Sequence, residues 1–154
     1  MKKSKFIMFI VVSLILLVPG PAWASTASQP ATASPPLAIR PLTLFDPSFE
    51  YLDAGSGNIT YSGDGYVHIW GETFATQYVD SIGVQLTLQR WTGSKWVDVN
   101  TGAWTTLSND YYAYYSNNIK VTKGYYYRVK SSHQVSHNDV IEQGIRYSSS
   151  VLAD

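Results

Sequence analysis

Two histidines, His133 and His137, stand four positions apart in "HQVSH". On a helix that spacing would put both imidazoles on one face, as a zinc site requires. The segment reads instead as a strand running into a loop, where positions four apart lie about 13 Å along the chain. Both are therefore expected as solvated loop histidines, and no metal ligand is assigned. Asp53, Asp64, Glu72, Asp80, Asp139 and Glu142 are the acidic residues from which a glycosidase carboxylate pair could be drawn. Nothing in the sequence brings two of them together. The stretches "DAGSGN" and "GDG" are what tight turns ask for, so these carboxylates are expected at turns and on the surface. Neither stretch has the D-x-D-x-D-G form of a calcium loop. There is no cysteine, no G-x-S-x-G elbow, no H-E-x-x-H pair and no phosphate-binding glycine loop, so no catalytic residue and no cofactor is assigned.

The aromatic residues are the suggestive set, and "NDYYAYYSNNIKVTKGYYYRVK" packs seven tyrosines between positions 111 and 127. Alternation divides them between a core and a surface. Tyr125, Tyr127, Val129 and Ser131 share one face of a strand, while Tyr126, Arg128, Lys130 and Ser132 share the other. Aromatics that alternation turns outward can form a flat row of the kind that stacks on the apolar faces of sugars. On that ground Tyr66, Trp70, Trp91, Trp96 and Tyr126 are the candidate ligand-binding residues. Sandwich strands also use Tyr and Trp as ordinary filling, which is the competing explanation.

The elements that would carry these residues are strands. In "SIGVQLTLQRW", Ile82, Val84, Leu86 and Leu88 point one way, and Gly83, Gln85, Thr87 and Gln89 the other. That strand runs through the "TGSK" turn into "WVDV", a hairpin with Trp91 and Trp96 flanking the turn. Upstream, Val67 and Ile69 share a face opposite Tyr66, His68 and Trp70, after a "GDG" turn at 63 to 65. Strands are expected near 57–62, 65–75, 81–91, 95–101, 110–122, 124–135 and 140–151. Short strands between turn signals predict an all-β fold, an antiparallel β-sandwich of about seven strands.

Two resemblances bear on this expectation. The run from Val121 through Gly124 to Tyr127 and Val129 resembles the corner before the penultimate strand of fibronectin type III and immunoglobulin-like sandwiches. It implies that the Tyr127 hydroxyl bonds back to the preceding backbone. Over positions 51 to 151, "YLDAGSGNI", "GDGYVHIWGET", "VDSIGVQLTLQRWTGSKWVDV", "GYYYRVKSSH" and "YSSSV" resemble an uncharacterised family of small secreted proteins of Gram-positive bacteria. That resemblance implies export and a β-rich fold; it brings no activity and no binding residue.

The chain begins with Lys2, Lys3 and Lys5, the 13-residue apolar run Phe6 to Val18, and "PGPAWAS". This is the form of a signal peptide over 1–24, with cleavage expected after Ala24. Residues 25–43 are rich in Pro, Ala, Ser and Thr and are expected to be a poorly ordered linker, leaving 44–154 as a single domain. Without residues 1–24, eight Lys and Arg remain against 11 Asp and Glu, a net charge of about −3. That balance argues against nucleic acid and against membrane surfaces as partners once the signal is cleaved. The expectation for function is a secreted, non-catalytic binding module with an extracellular ligand, envelope glycan or another protein. The alternatives are a structural or self-associating surface protein and, third, a secreted enzyme.

Overall fold

The computed structural model describes residues 30–36 and 45–154. The expected signal peptide lies outside the described residues, as do Leu44 and much of the expected linker. The described chain forms seven strands: β1 (Leu52–Gly63), β2 (Tyr66–Trp91), β3 (Trp96–Thr101), β4 (Thr105–Lys120), β5 (Tyr126–His137), β6 (Val140–Tyr147) and β7 (Val151–Leu152). All pair antiparallel in one sheet of order β1-β2-β5-β6, with β3 and β4 also on β2 and β7 on β5. The all-β antiparallel expectation holds. The two separate sheets of a sandwich do not appear, because one strand runs through both layers and the sheet curls on itself as a half-barrel.

That strand is β2, whose 26 residues join two segments expected to be separate. Its first half lies between β1 and β4, and its second half between β5 and a rim made by β3 and the start of β4. The inward set changes phase between the halves. Val67, Ile69, Thr73 and Ala75 are buried at odd positions, and Ile82, Val84, Leu86 and Leu88 at even ones. A period-2 strand cannot bury both sets without an irregularity. The register supplies one: Phe74 pairs Tyr112 and Val79 pairs Asp110, so four residues of β2 stand opposite Tyr111 of β4. Such an inserted stretch bends and twists a strand, and here it turns the corner between the layers.

Tight hairpins join β1 to β2 and β5 to β6. Asp64 and Gly65 both take positive φ, 52° and 75°, between Gly63 and Tyr66, a two-residue turn matched to the twist of β1 and β2. Asn138 and Asp139 do the same between β5 and β6. The layers meet closely because β1 presents glycine to the core. A Cβ at Gly55 would lie 2.6 Å from His133 Nδ1, and one at Gly57 2.6 Å from Ser131 Oγ. The Tyr127 corner forms as expected: the buried phenol donates to Thr122 O at 3.0 Å and accepts from Thr122 N at 3.2 Å.

The edges β1 and β6 are joined by a side chain. Glu142 accepts from the backbone N–H of Glu50 and Leu52, both at 2.6 Å, and of Tyr51 at 2.9 Å. Burial alone would raise its pKa, but these three donors together hold it below the usual carboxylate value. Glu142 is thus a buried clasp, correcting its expected place on the surface. It faces inward because β6 must satisfy the otherwise unpaired N–H groups at the start of β1.

Candidate functional site

The outer face of the β1, β2 and β4 layer is a broad platform. Even positions of β2 face outward here, in the order Tyr66, His68, Trp70, Glu72 and Phe74. Register sets Asn58 of β1 and Ser116 of β4 beside Trp70, and Ser56 and Tyr114 beside Glu72. Tyr112 lies beside Phe74, ring centroids 4.9 Å apart, and His68 stacks on Trp70 at 5.4 Å and 27°. Tyr66 and Tyr114 are exposed. Tyr66 and Phe74 are eight positions apart, roughly 27 Å of strand at about 3.3 to 3.4 Å per residue.

The polar groups of the platform are held in place by one another. Glu72 Oε1 accepts from Ser56 Oγ at 3.1 Å, Ser56 Oγ accepts from Asn58 Nδ2 at 3.1 Å, and Tyr112 OH points to Glu72 Oε2 at 3.4 Å. Burial first, and then the negative charge of Glu72, raise the Tyr112 phenol above its usual pKa, so it stays a donor. His68 Nδ1 lies 2.9 Å from Asn118 Oδ1. Flat rings around fixed donors and acceptors can stack on and hydrogen-bond to a polyhydroxylated ligand.

The five candidate aromatics divide between the two layers. Tyr66 and Trp70 belong to this platform. Trp96 and Tyr126 lie on the outer face of the other layer, and Trp91, beside Trp96 at 5.3 Å, is only 7% exposed. Trp91 is therefore no open stacking surface: its Nε1 donates to Ala33 O at 3.1 Å beneath residues 30–36. Around Trp96, the Arg128 guanidinium is sandwiched between the Trp96 and Tyr147 rings, 4.4 Å from each centroid. Arg128 Nε donates to Gln89 Oε1 at 2.8 Å, Gln89 Nε2 donates to Asp98 Oδ1 at 2.6 Å, and Lys130 Nζ reaches Asp98 Oδ2 at 3.2 Å. Sequence reasoning named Tyr66 and Trp70 of the platform but missed Phe74, Glu72 and His68 as members. The signal was present, since alternation puts all three on the face of Trp70.

The histidines required correction. His133 is in β5 and fully buried, and His137 is at the end of the same strand, 3.3 Å from Asp80 and edge-on to Tyr51. Alternation in β5 runs inward through Tyr127, Val129, Ser131, His133 and Val135 without a break. The polar pair is accommodated beneath Gly55 and Gly57 by hydrogen bonds. Thr73 Oγ1 donates to Gly83 O at 3.0 Å, which leaves it to accept from His133 Nδ1–H at 2.8 Å; Ser131 Oγ then donates to His133 Nε2 at 2.8 Å. Burial, and then the charge of Arg146, lower the His133 pKa to about 3, so the ring is neutral. A serine hydrogen-bonded to histidine is the arrangement of an activated nucleophile. Here Ser131 is wholly buried, so no substrate reaches it and the cluster serves packing. Among the described residues no group of three or more metal-ligating side chains occurs.

No family model matches the chain, and no curated protein matches it. Among solved structures the chain is similar to a protein from Archaeoglobus fulgidus known from a crystal structure, 12% identical, covering 67% of this chain and 98% of the other with a TM-score of 0.35. That likeness is too distant to bear on fold or function.

Proposed function

We propose that the protein is a secreted, non-catalytic binding module whose platform over β1, β2 and β4 takes an extracellular glycan. The observation that carries this reading is the row of Tyr66, Trp70, Phe74, Tyr112 and Tyr114 around Glu72, whose carboxylate is held by Ser56 and Tyr112. Export rests on the expected signal peptide, and envelope polysaccharide is the ligand class that such a location offers. The two layers of the half-barrel play the part of the two sheets in an immunoglobulin- or fibronectin type III-like sandwich, leaving their outer faces for binding.

The test is titration of purified cell-wall polysaccharide into the wild type, Trp70→Ala and Tyr114→Ala. Loss of binding in both variants at unchanged melting temperature supports the reading. Equal binding by all three proteins removes the platform as the site, and no binding by the wild type removes the glycan reading.

Self-association is the second reading, supported by β6. Ile141 and Ile145, 63% and 51% exposed, and Tyr147, 39% exposed, alternate along its outward face. Exposed apolar rows on terminal strands favour pairing with another chain. A sedimentation profile that becomes monomeric in Ile141→Lys/Ile145→Lys at every concentration favours this reading; a wild type that is monomeric throughout rejects it.

A further inference from the structure

The short segment Pro30 to Pro36, sequence "PATASPP", lies across the second layer without regular secondary structure. Three hydrogen bonds hold it. Ala31 N donates to Gly124 O at 2.5 Å, Trp91 Nε1 donates to Ala33 O at 3.1 Å, and the Ser34 and Tyr126 hydroxyls meet at 2.8 Å. The floor is built by the sheet itself. Gly124, with φ of 85°, turns β4 into β5 and is fixed from the other side by its own N–H on Ala153 O at 2.6 Å. Trp91 closes the β2–β3 hairpin, and Tyr126 opens β5.

We propose that residues 31–34 are a displaceable strap over a peptide groove formed by Trp91, Gly124 and Tyr126, and that the groove binds uncharged, proline-flanked segments of other protein chains. The chemistry of the occupant is read from the strap, which is small, uncharged and proline-flanked. An indole N–H and a tyrosine beside a backbone acceptor suit such a segment, because its prolines limit the freedom lost on binding.

The strap is poorly fixed for a structural element. It inserts no large apolar side chain, and its Ser34 hydrogen bond is solvent-exposed. The Thr32 hydroxyl oxygen is buried without a hydrogen-bond partner among the described residues, which opposes docking. Ordering four residues opposes it further. Closed and open states of the strap are therefore close in free energy. Opening exposes Trp91 and Tyr126 and joins them to the Trp96, Arg128 and Tyr147 stack alongside.

The test uses the full chain and the double variant Ala31→Pro/Ser34→Ala, which deletes the Ala31 N–H and the Ser34 hydroxyl. A fluorescein-labelled PATASPP peptide is titrated by anisotropy, and acrylamide quenching of Trp fluorescence is recorded with and without Trp91→Phe. With the tethered competitor weakened, the double variant should bind the peptide about tenfold more tightly than the wild type. Its extra quenching should vanish in the Trp91→Phe background. Tyr126→Ala in the double variant should abolish peptide binding. Equal affinities, or a Trp91 contribution to quenching unaltered by the double variant, overturn the proposal. So does binding of a soluble oligosaccharide, in place of the peptide, that Tyr126→Ala removes. If the double variant does not fold, Ser34→Ala alone replaces it, with the same direction expected; no gain in peptide affinity there overturns the proposal.

Discussion

Lowering the pH from 7 to 5 should destabilise this protein through His133. The ring is fully buried between Thr73 Oγ1 and Ser131 Oγ, with Phe45 tilted against it at 5.3 Å, and its pKa falls from 6.5 to about 3. The unfolded chain thus binds a proton near pH 6.5 that the folded chain refuses until about pH 3. Stability is flat above 6.5 and falls as pH drops through that window, by about 1.4 kcal/mol per unit once below 6.5. Between pH 7 and 5 the loss comes to about 2 kcal/mol, a large share of the roughly 5 to 15 kcal/mol that holds a typical domain. A window above pH 5 lies above the ordinary carboxylate range of the unfolded chain, which keeps acid denaturation out of the measurement. Urea unfolding at pH 7, 6 and 5 measures the effect. His133→Gln is the control: less stable at pH 7, it should lack this slope, and any pH dependence the two proteins share cancels in the difference. Parallel pH profiles for wild type and His133→Gln would refute the buried, neutral assignment.

Three further perturbations test the fold. Tyr127→Phe removes both hydrogen bonds to Thr122 and should cost about 1 to 3 kcal/mol in urea unfolding, with unchanged m-value. Glu142→Gln weakens the clasp on Glu50, Tyr51 and Leu52 and should cost about 1.5 to 3 kcal/mol at pH 7. Because the Glu142 pKa is lowered, the gap between that variant and the wild type should close as pH falls below about 4.3, where the unfolded carboxylate protonates. Gly55→Ala forces a Cβ to within 2.6 Å of His133 Nδ1 and should cost about 1 to 3 kcal/mol by thermal melt; a neutral result would mean that β1 and β5 pack less closely.

Local pattern carried much of the architecture. Alternation from Ile82 to Leu88 marked the buried face of a central strand, and all four residues are buried. The same rule separated Tyr127, inward, from Arg128, outward, and the "GDG" and "TGSK" turns fell where expected. These features depend on neighbours two or four positions away, and the chain records such neighbours directly. For the platform, the sequence named Tyr66 and Trp70 and the face they share.

Tertiary structure decided the features that join distant positions. Whether β2 stops or bends at Ala75–Val79 depends on its pairing with β4 some thirty residues later, and the bend makes a half-barrel in place of two sheets. It also places Tyr66 and Trp70 on one layer and Trp96 and Tyr126 on the other. His133 looks like a solvated residue until Gly55 and Gly57 of β1, Thr73 of β2 and Ser131 of β5 surround it. Glu142 looks like a surface acid until the backbone N–H groups of Glu50, Tyr51 and Leu52 reach it from about ninety residues away. A polar side chain enters a core only where its partners converge, and that convergence is a property of the folded chain rather than of any stretch of sequence.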